Sequence, residues 1–121
     1  MKNPVEKYTE QRPWGKFEQF TRNQRTTVKI ITIEPGQILS LQYHSLRDEF
    51  WHILEGEAFV TVGMETVSSV LPGAEFFIPR KTLHRIGSLR RDKGVKFLEI
   101  AFGKFDESDI VRVEDRYGRN K

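Results

Sequence analysis

The chain has 121 residues, which suits one domain with a single core and leaves too little for a second domain of ordinary size. It has no cysteine, so disulfides, thiolate metal sites and a cysteine nucleophile are excluded, a usage that fits a reducing compartment. The net charge of +3 is spread among interleaved Asp and Glu, and only Arg85, Arg90, Arg91 and Lys93 gather locally. That pattern argues against a nucleic-acid partner and favours a small anionic ligand.

From the N-terminus, residues 1–20 contain no apolar run. Neither a signal peptide nor a membrane span is expected, and the predicted location is the cytoplasm with no membrane partner. Residues 1–16 read as an N-terminal arm. Short β-rich runs follow over 17–20, 26–34, 37–44, 49–55, 57–62, 64–70, 75–79, 83–88, 95–102 and 109–113. Turn residues punctuate them at Pro35-Gly36, Glu55-Gly56-Glu57, Pro72-Gly73 and Lys93-Gly94. Glu107-Ser108-Asp109 could cap a short helical turn. Many short strands with regular turns predict one all-β domain over 1–121, with a barrel over 17–113 and a tail over 114–121. Exposed strand edges on such a barrel predict a homodimer.

Only three histidines are available for chemistry: His44, His52 and His84. In Leu39-Ser40-Leu41-Gln42-Tyr43-His44, strand alternation places Ser40, Gln42 and His44 on one face and the apolar residues on the other. A tight hairpin at 45–48 would fold Glu49 back towards His44. His84, just after Ile78-Pro79, would come from another strand. Taken singly, a buried histidine is more often a hydrogen-bonded core residue and Glu49 a solvated turn residue. Together the four could grip one ion. Trp51 shares the parity of Glu49 and reads chiefly as core, while His52 has the opposite parity and reads as a non-ligand.

The spacing of these residues resembles the two cupin signatures. The first appears as Gly36, Gln42-x-His44, Glu49 and Gly56. The second appears as Gly73, Pro79, His84 and Ser88, with Lys81 where glycine is usual and Ser88 where asparagine is usual. A single cupin barrel, a jelly-roll, is the fold this resemblance implies. Glutamine at 42 is similar to the phosphomannose isomerase group. More of the chain resembles the type II isomerases, which form the C-terminal domain of mannose-1-phosphate guanylyltransferases. The matching stretches are Arg12-Pro13-Trp14-Gly15-Lys16-Phe17, Leu39 through His44, Arg47-x-Glu49-x-Trp51, His84-Arg85, Asp109-Ile110-Val111-Arg112 and Asp115-Arg116-Tyr117-Gly118-Arg119. The sequence departs from that family at Phe50, where a second histidine is usual, and at Ala101-Phe102.

The resemblance implies a ligand set of Gln42, His44, Glu49 and His84 around one divalent ion. Zinc suits this mixed set first, and Mn, Fe, Ni or Co would tolerate it. It also implies interconversion of mannose 6-phosphate and fructose 6-phosphate. Aldose–ketose isomerisation needs a Lewis acid and a base to move a proton between C1 and C2. Glu99 is the preferred base, with Glu57 the other candidate. A sugar phosphate needs cations, and Arg112 is expected first, followed by Lys16, Arg47 and Arg85. Arg12-Pro13-Trp14-Gly15 is expected to pin the N-terminal strand to the barrel. Two other readings stay open: a cupin of another class, such as a small-molecule dioxygenase or sugar epimerase, and a non-catalytic sugar-binding module.

Overall fold

A computed structural model describes residues 4–119, and among them it contains eleven strands and no helix. No helix among them is long and apolar enough to cross a membrane. In chain order the strands are β1 (Tyr8–Arg12), β2 (Gly15–Gln19), β3 (Thr26–Ile33), β4 (Leu41–Tyr43), β5 (Arg47–Glu55), β6 (Ala58–Val62), β7 (Glu65–Val70), β8 (Glu75–Ile78), β9 (His84–Ser88), β10 (Val95–Gly103) and β11 (Val111–Glu114). Two antiparallel sheets make the barrel. One runs β3-β10-β5-β8 and the other β11-β4-β9-β6-β7, with β1-β2 as a separate hairpin.

The alternation of the strands decides what lies between the sheets. Ile33, Trp51, Ile53, Val95 and Phe97 face inward from the first sheet and meet Ala58, Val60 and Ile86 from the second. Such side chains contribute about 1.5–3 kcal/mol each when fully buried. The turn between β5 and β6 lies tightly against the segment before β10. Gly56 has a φ of 87°, and a Cβ there would collide with the carbonyl oxygen of Gly94.

A smaller apolar cluster sits outside the barrel. Phe50, Ile100 and Phe102, on the outward face of β5 and β10, are covered by Val5, Phe20 and Leu98. Lys7 adds an ion pair to Glu75 at 2.9 Å. These contacts dock the N-terminal segment. The Arg12-Pro13-Trp14-Gly15 motif does not: it forms the hairpin turn between β1 and β2, with Trp14 73% exposed. The expected arm over 1–16 therefore holds a strand of its own, and β2 crosses its boundary with the barrel.

Three local expectations change in the same way. The run over 37–44 is a strand only from Leu41 to Tyr43, with Ile38 making one isolated bridge to Gly87. Glu107-Ser108 forms a turn, not helix, because the Asp106 carboxylate accepts from the backbone N–H of Ser108 at 2.9 Å. The segment 45–48 is no hairpin. It carries the chain from one sheet to the other, since β4 and β5 belong to different sheets.

Candidate metal centre and its cavity

Because the 45–48 corner crosses between sheets, His44 and Glu49 meet across the barrel interior. The Nε2 of His44 lies 3.3 Å from Glu49 Oε2, and the Nε2 of His84 lies 3.8 Å from Glu49 Oε1. One donor atom from each of these three residues falls within 4.8 Å of the other two. All three residues are buried. Gln42 and His84 are direct cross-strand partners on β4 and β9, which brings the Gln42 side chain beside the three.

Backbone carbonyls aim the two imidazoles. His44 Nδ1 lies 2.7 Å from the Asp109 carbonyl, and His84 Nδ1 lies 2.9 Å from the Thr82 carbonyl. A carbonyl only accepts, so each Nδ1 carries the proton and each Nε2 is an acceptor; that of His44 meets Arg47 Nη2 at 3.2 Å. The Nε2 of His84 is buried and has no hydrogen-bond partner among the described residues. An orphaned lone pair beside a carboxylate and a second imidazole fits a divalent cation.

Glu49 is held from two sides. Trp51 Nε1–H donates to Oε1 at 3.2 Å and Arg47 Nε–H donates to Oε2 at 3.0 Å. Gln42 is next to His44 but presents its nitrogen, with Nε2 3.4 Å from His44 Nε2 and Oε1 accepting from Ser40 Oγ at 2.5 Å. A half-turn of the amide would offer the oxygen to an ion. Trp51 is therefore both core and positioning group: it packs edge-on to His84 at 5.5 Å between ring centroids and against Phe97 at 5.2 Å. His52 faces out and pairs with Glu75 at 2.6 Å, as its parity predicts.

Burial lowers the proton affinity of both His44 and His84, against the pull of Glu49, so both favour the neutral, ligating form. For Glu49, burial works upward, but the His84 and His44 rings and the Arg47 guanidinium outweigh it and hold the carboxyl below its ordinary value. Glu99 behaves in the opposite way. It lies inward on β10 against Glu49, and burial followed by that neighbouring carboxylate pushes it up to about 8.

Of the four expected donors, Gln42 lines a cavity of about 210 Å³, whose wall also includes Arg47, Glu99, Lys29, Arg112 and Arg119. Arg112 is the cross-strand partner of Gln42, which is itself the partner of His84. Two strand spacings therefore separate it from the ligand strand, about 10 Å. The Nε of Arg112 is buried without a partner among the described residues. A larger, mainly apolar cavity of about 450 Å³, lined by Ile33, Ile38, Leu39 and Tyr117, holds none of the donors.

The structure thus brings Gln42, His44, Glu49, His84, Glu99, Arg47 and Arg112 together, and leaves three expected candidates out. Lys16 is exposed on the β1–β2 hairpin, opposite Gln11. Arg85 follows inward His84 and so points outward, where Nε donates to the Leu39 carbonyl at 3.0 Å and Nη1 to Glu114 at 3.2 Å. Glu57, the other base candidate, bonds Ser69 away from the donors. Phe50 faces the outer cluster, on the opposite face of β5 from Glu49.

Three residues of the site were not anticipated. Lys29 lines the cavity, pairs with Glu107 at 3.3 Å and sits 4.4 Å from the Phe105 ring centroid. Its signal was available: it shares strand parity with inward Ile31 and Ile33. Arg119 lines the cavity while bonded to Asp115 at 2.8 Å. Asp109 fastens the 45–48 corner, its carboxylate accepting from the N–H of Ser45 and of Leu46 at 2.9 Å each.

Two facing antiparallel sheets with an inward His/Glu cluster define the chain as a cupin. Its fold matches solved cupins, among them the cupin-2 domain Rru_A2000 of Rhodospirillum rubrum, with a TM-score of 0.61 and 19% identity over 87% of this chain and 78% of that one. The oxalate decarboxylase of Bacillus subtilis matches with a TM-score of 0.64 and 24% identity, over 74% of this chain and 24% of the other. The chain belongs to the mannose-6-phosphate isomerase C-terminal family, which matches residues 2–115. Among its relatives, the xanthan biosynthesis protein XanB of Xanthomonas campestris is 39% identical over 109 residues, 89% of this chain and 23% of XanB. The mannose-1-phosphate guanylyltransferase ManC of Salmonella typhimurium is 38% identical over 112 residues, 89% of this chain and 22% of ManC. The chain spans less than a quarter of the length of these relatives.

Proposed function

We propose that the chain is a metal-dependent aldose–ketose isomerase acting on mannose 6-phosphate and fructose 6-phosphate. The observation that carries this reading is the convergence of three buried donors, one of them the orphaned Nε2 of His84, beside a buried carboxyl and a cationic cavity. Family membership supports it.

His44, Glu49 and His84 would hold the ion, with Gln42 a fourth donor once its amide turns; zinc suits the set, as would Mn, Fe, Ni or Co. The bound ion would supply Lewis-acid polarisation at the carbonyl end of the sugar. The chain's own residues do the rest. Glu99 sits against the donor cluster, and a carboxyl near pH 8 can both give and take a proton close to neutrality, as a transfer between C1 and C2 requires. Arg112, with its buried unpartnered Nε, offers an anion contact two strands away, and Lys29 adds charge on the cavity wall. The phosphate of the substrate is assigned to that end.

The deciding experiment is elemental analysis of the purified protein, followed by a coupled mannose 6-phosphate assay with and without chelator. Turnover that vanishes with chelator and returns with a divalent ion is expected. Tight sugar-phosphate binding without turnover in the ion-loaded protein would make the chain a binding module instead. Oxygen uptake in place of isomerisation would place it in the oxygenase class.

A further inference from the structure

Arg47 was expected to touch substrate, but its guanidinium is engaged elsewhere. Its Nη2 lies 3.2 Å from His44 Nε2 and its Nε donates to Glu49 Oε2 at 3.0 Å. Both acceptors belong to residues of the three-residue metal cluster. The guanidinium is fixed there by the Phe105 ring, 4.4 Å from its centre, and by the Asp106 carbonyl, 3.4 Å from Nη1. Only 7% of the residue is exposed.

An imidazole Nε2 has one lone pair, which goes to an N–H or to a cation but not to both. Arginine cannot shed its charge to relieve the conflict. A carboxylate has spare acceptor sites, so Glu49 can keep an Arg47 bond while ligating; His44 cannot. We propose that Arg47 competes with the metal ion for the His44 lone pair, so that loading the site requires its guanidinium to leave that atom. Arg47 then sets the threshold of affinity that an ion must exceed to enter. This inference rests on the metal reading given above.

The rival role for Arg47 is that of a buttress, holding Glu49 in its ligating position through Nε. The two roles predict opposite signs. Chelator-stripped wild type, Arg47→Met and Arg47→Lys are titrated with cobalt(II), followed by visible absorption, and with zinc by calorimetry. Competition predicts that Arg47→Met binds the ion about tenfold more tightly than wild type, the weight of one hydrogen bond to a charged group. Arg47→Lys, whose single ammonium cannot bond both atoms in the guanidinium's geometry, is expected between the two. It decides the sign alone if the methionine variant does not fold, which circular dichroism reveals. Equal or weaker binding by the folded variants overturns the inference and leaves the metal site intact. Absence of binding in wild type and variants alike overturns both.

Discussion

The two ends of the barrel interior obey the same alternation rule and bury opposite chemistries. On β5 the inward residues run Glu49, Trp51, Ile53, and on β3 they run Lys29, Ile31, Ile33. On β9 the same step leads from His84 to Ile86, and antiparallel β10 reverses it, from Phe97 to Glu99. At one end Ile53, Ile86 and Phe97 are fully buried among apolar neighbours. Two to four residues away along the same strands, Glu49, His84 and Glu99 are almost as buried but ionisable. Burying apolar surface stabilises the fold, whereas burying charge costs stability unless it is paired. The apolar end supports the polar end, and a substitution at each should therefore fail in a different measurement.

The largest effects belong to the donors. Glu49→Gln or His84→Ala should abolish stoichiometric ion binding and lower any isomerase activity by at least about a thousandfold, since the remaining donors are too few for a site. Elemental analysis after gel filtration checks the first and a coupled assay the second. A folded His84→Ala protein that still copurifies with one ion would break the assignment.

At the other end, Ile53→Ala should cost about 2–5 kcal/mol of stability, measured by urea unfolding. Ion affinity of the molecules that remain folded should stay within about twofold of wild type, because sites that share no partner act nearly additively. A large fall in affinity would mean that the two ends are not separable.

Glu99 sharpens the contrast through pH. Its folded value of about 8, against an ordinary 4.5, means that between these values the folded chain keeps a proton the unfolded chain has lost. The contribution of Glu99 to stability in chelator therefore falls as pH rises through that window, opposite in sign to that of His44 and His84, whose proton affinities are lowered from 6.5. Glu99→Gln removes the charge to be buried, and should gain on the order of 3 kcal/mol over wild type between pH 5 and pH 8. Denaturant melts across pH 5–8 test the sign; a variant with the wild-type slope would assign the dependence to another group.

Much of this contrast was legible in the sequence. Parity placed Gln42 with His44 and Glu49 with Trp51, and the apolar runs located ten of the eleven strands. β1 was missed because Tyr-Thr-Glu-Gln-Arg is mostly exposed and shows no alternation. A short polar segment such as 45–48 looks alike whether it closes a hairpin or crosses between sheets. Lys16 and Arg85 came from motif membership, which names a residue without saying which face it takes; the parity of Arg85 against His84 would have excluded it. The carbonyls of Asp109 and Thr82 that aim the imidazoles are backbone groups, and no side chain advertises them.

Trp51 joins the two ends, and its variant gives the smallest and most discriminating effect. Its ring belongs to the apolar cluster, packed on Phe97, while its Nε1–H holds Glu49 Oε1 at 3.2 Å. Trp51→Phe keeps an aromatic ring but removes that donor and some volume. The stability loss should be about 1–2 kcal/mol, a lost hydrogen bond together with a modest cavity. Ion affinity should fall about tenfold, the lower range for groups that orient a ligand without touching the metal. Thermal melts with chelator give the first quantity and cobalt(II) titration the second. If affinity holds while stability drops, Glu49 is positioned by Arg47 alone, and the tryptophan belongs wholly to the apolar end.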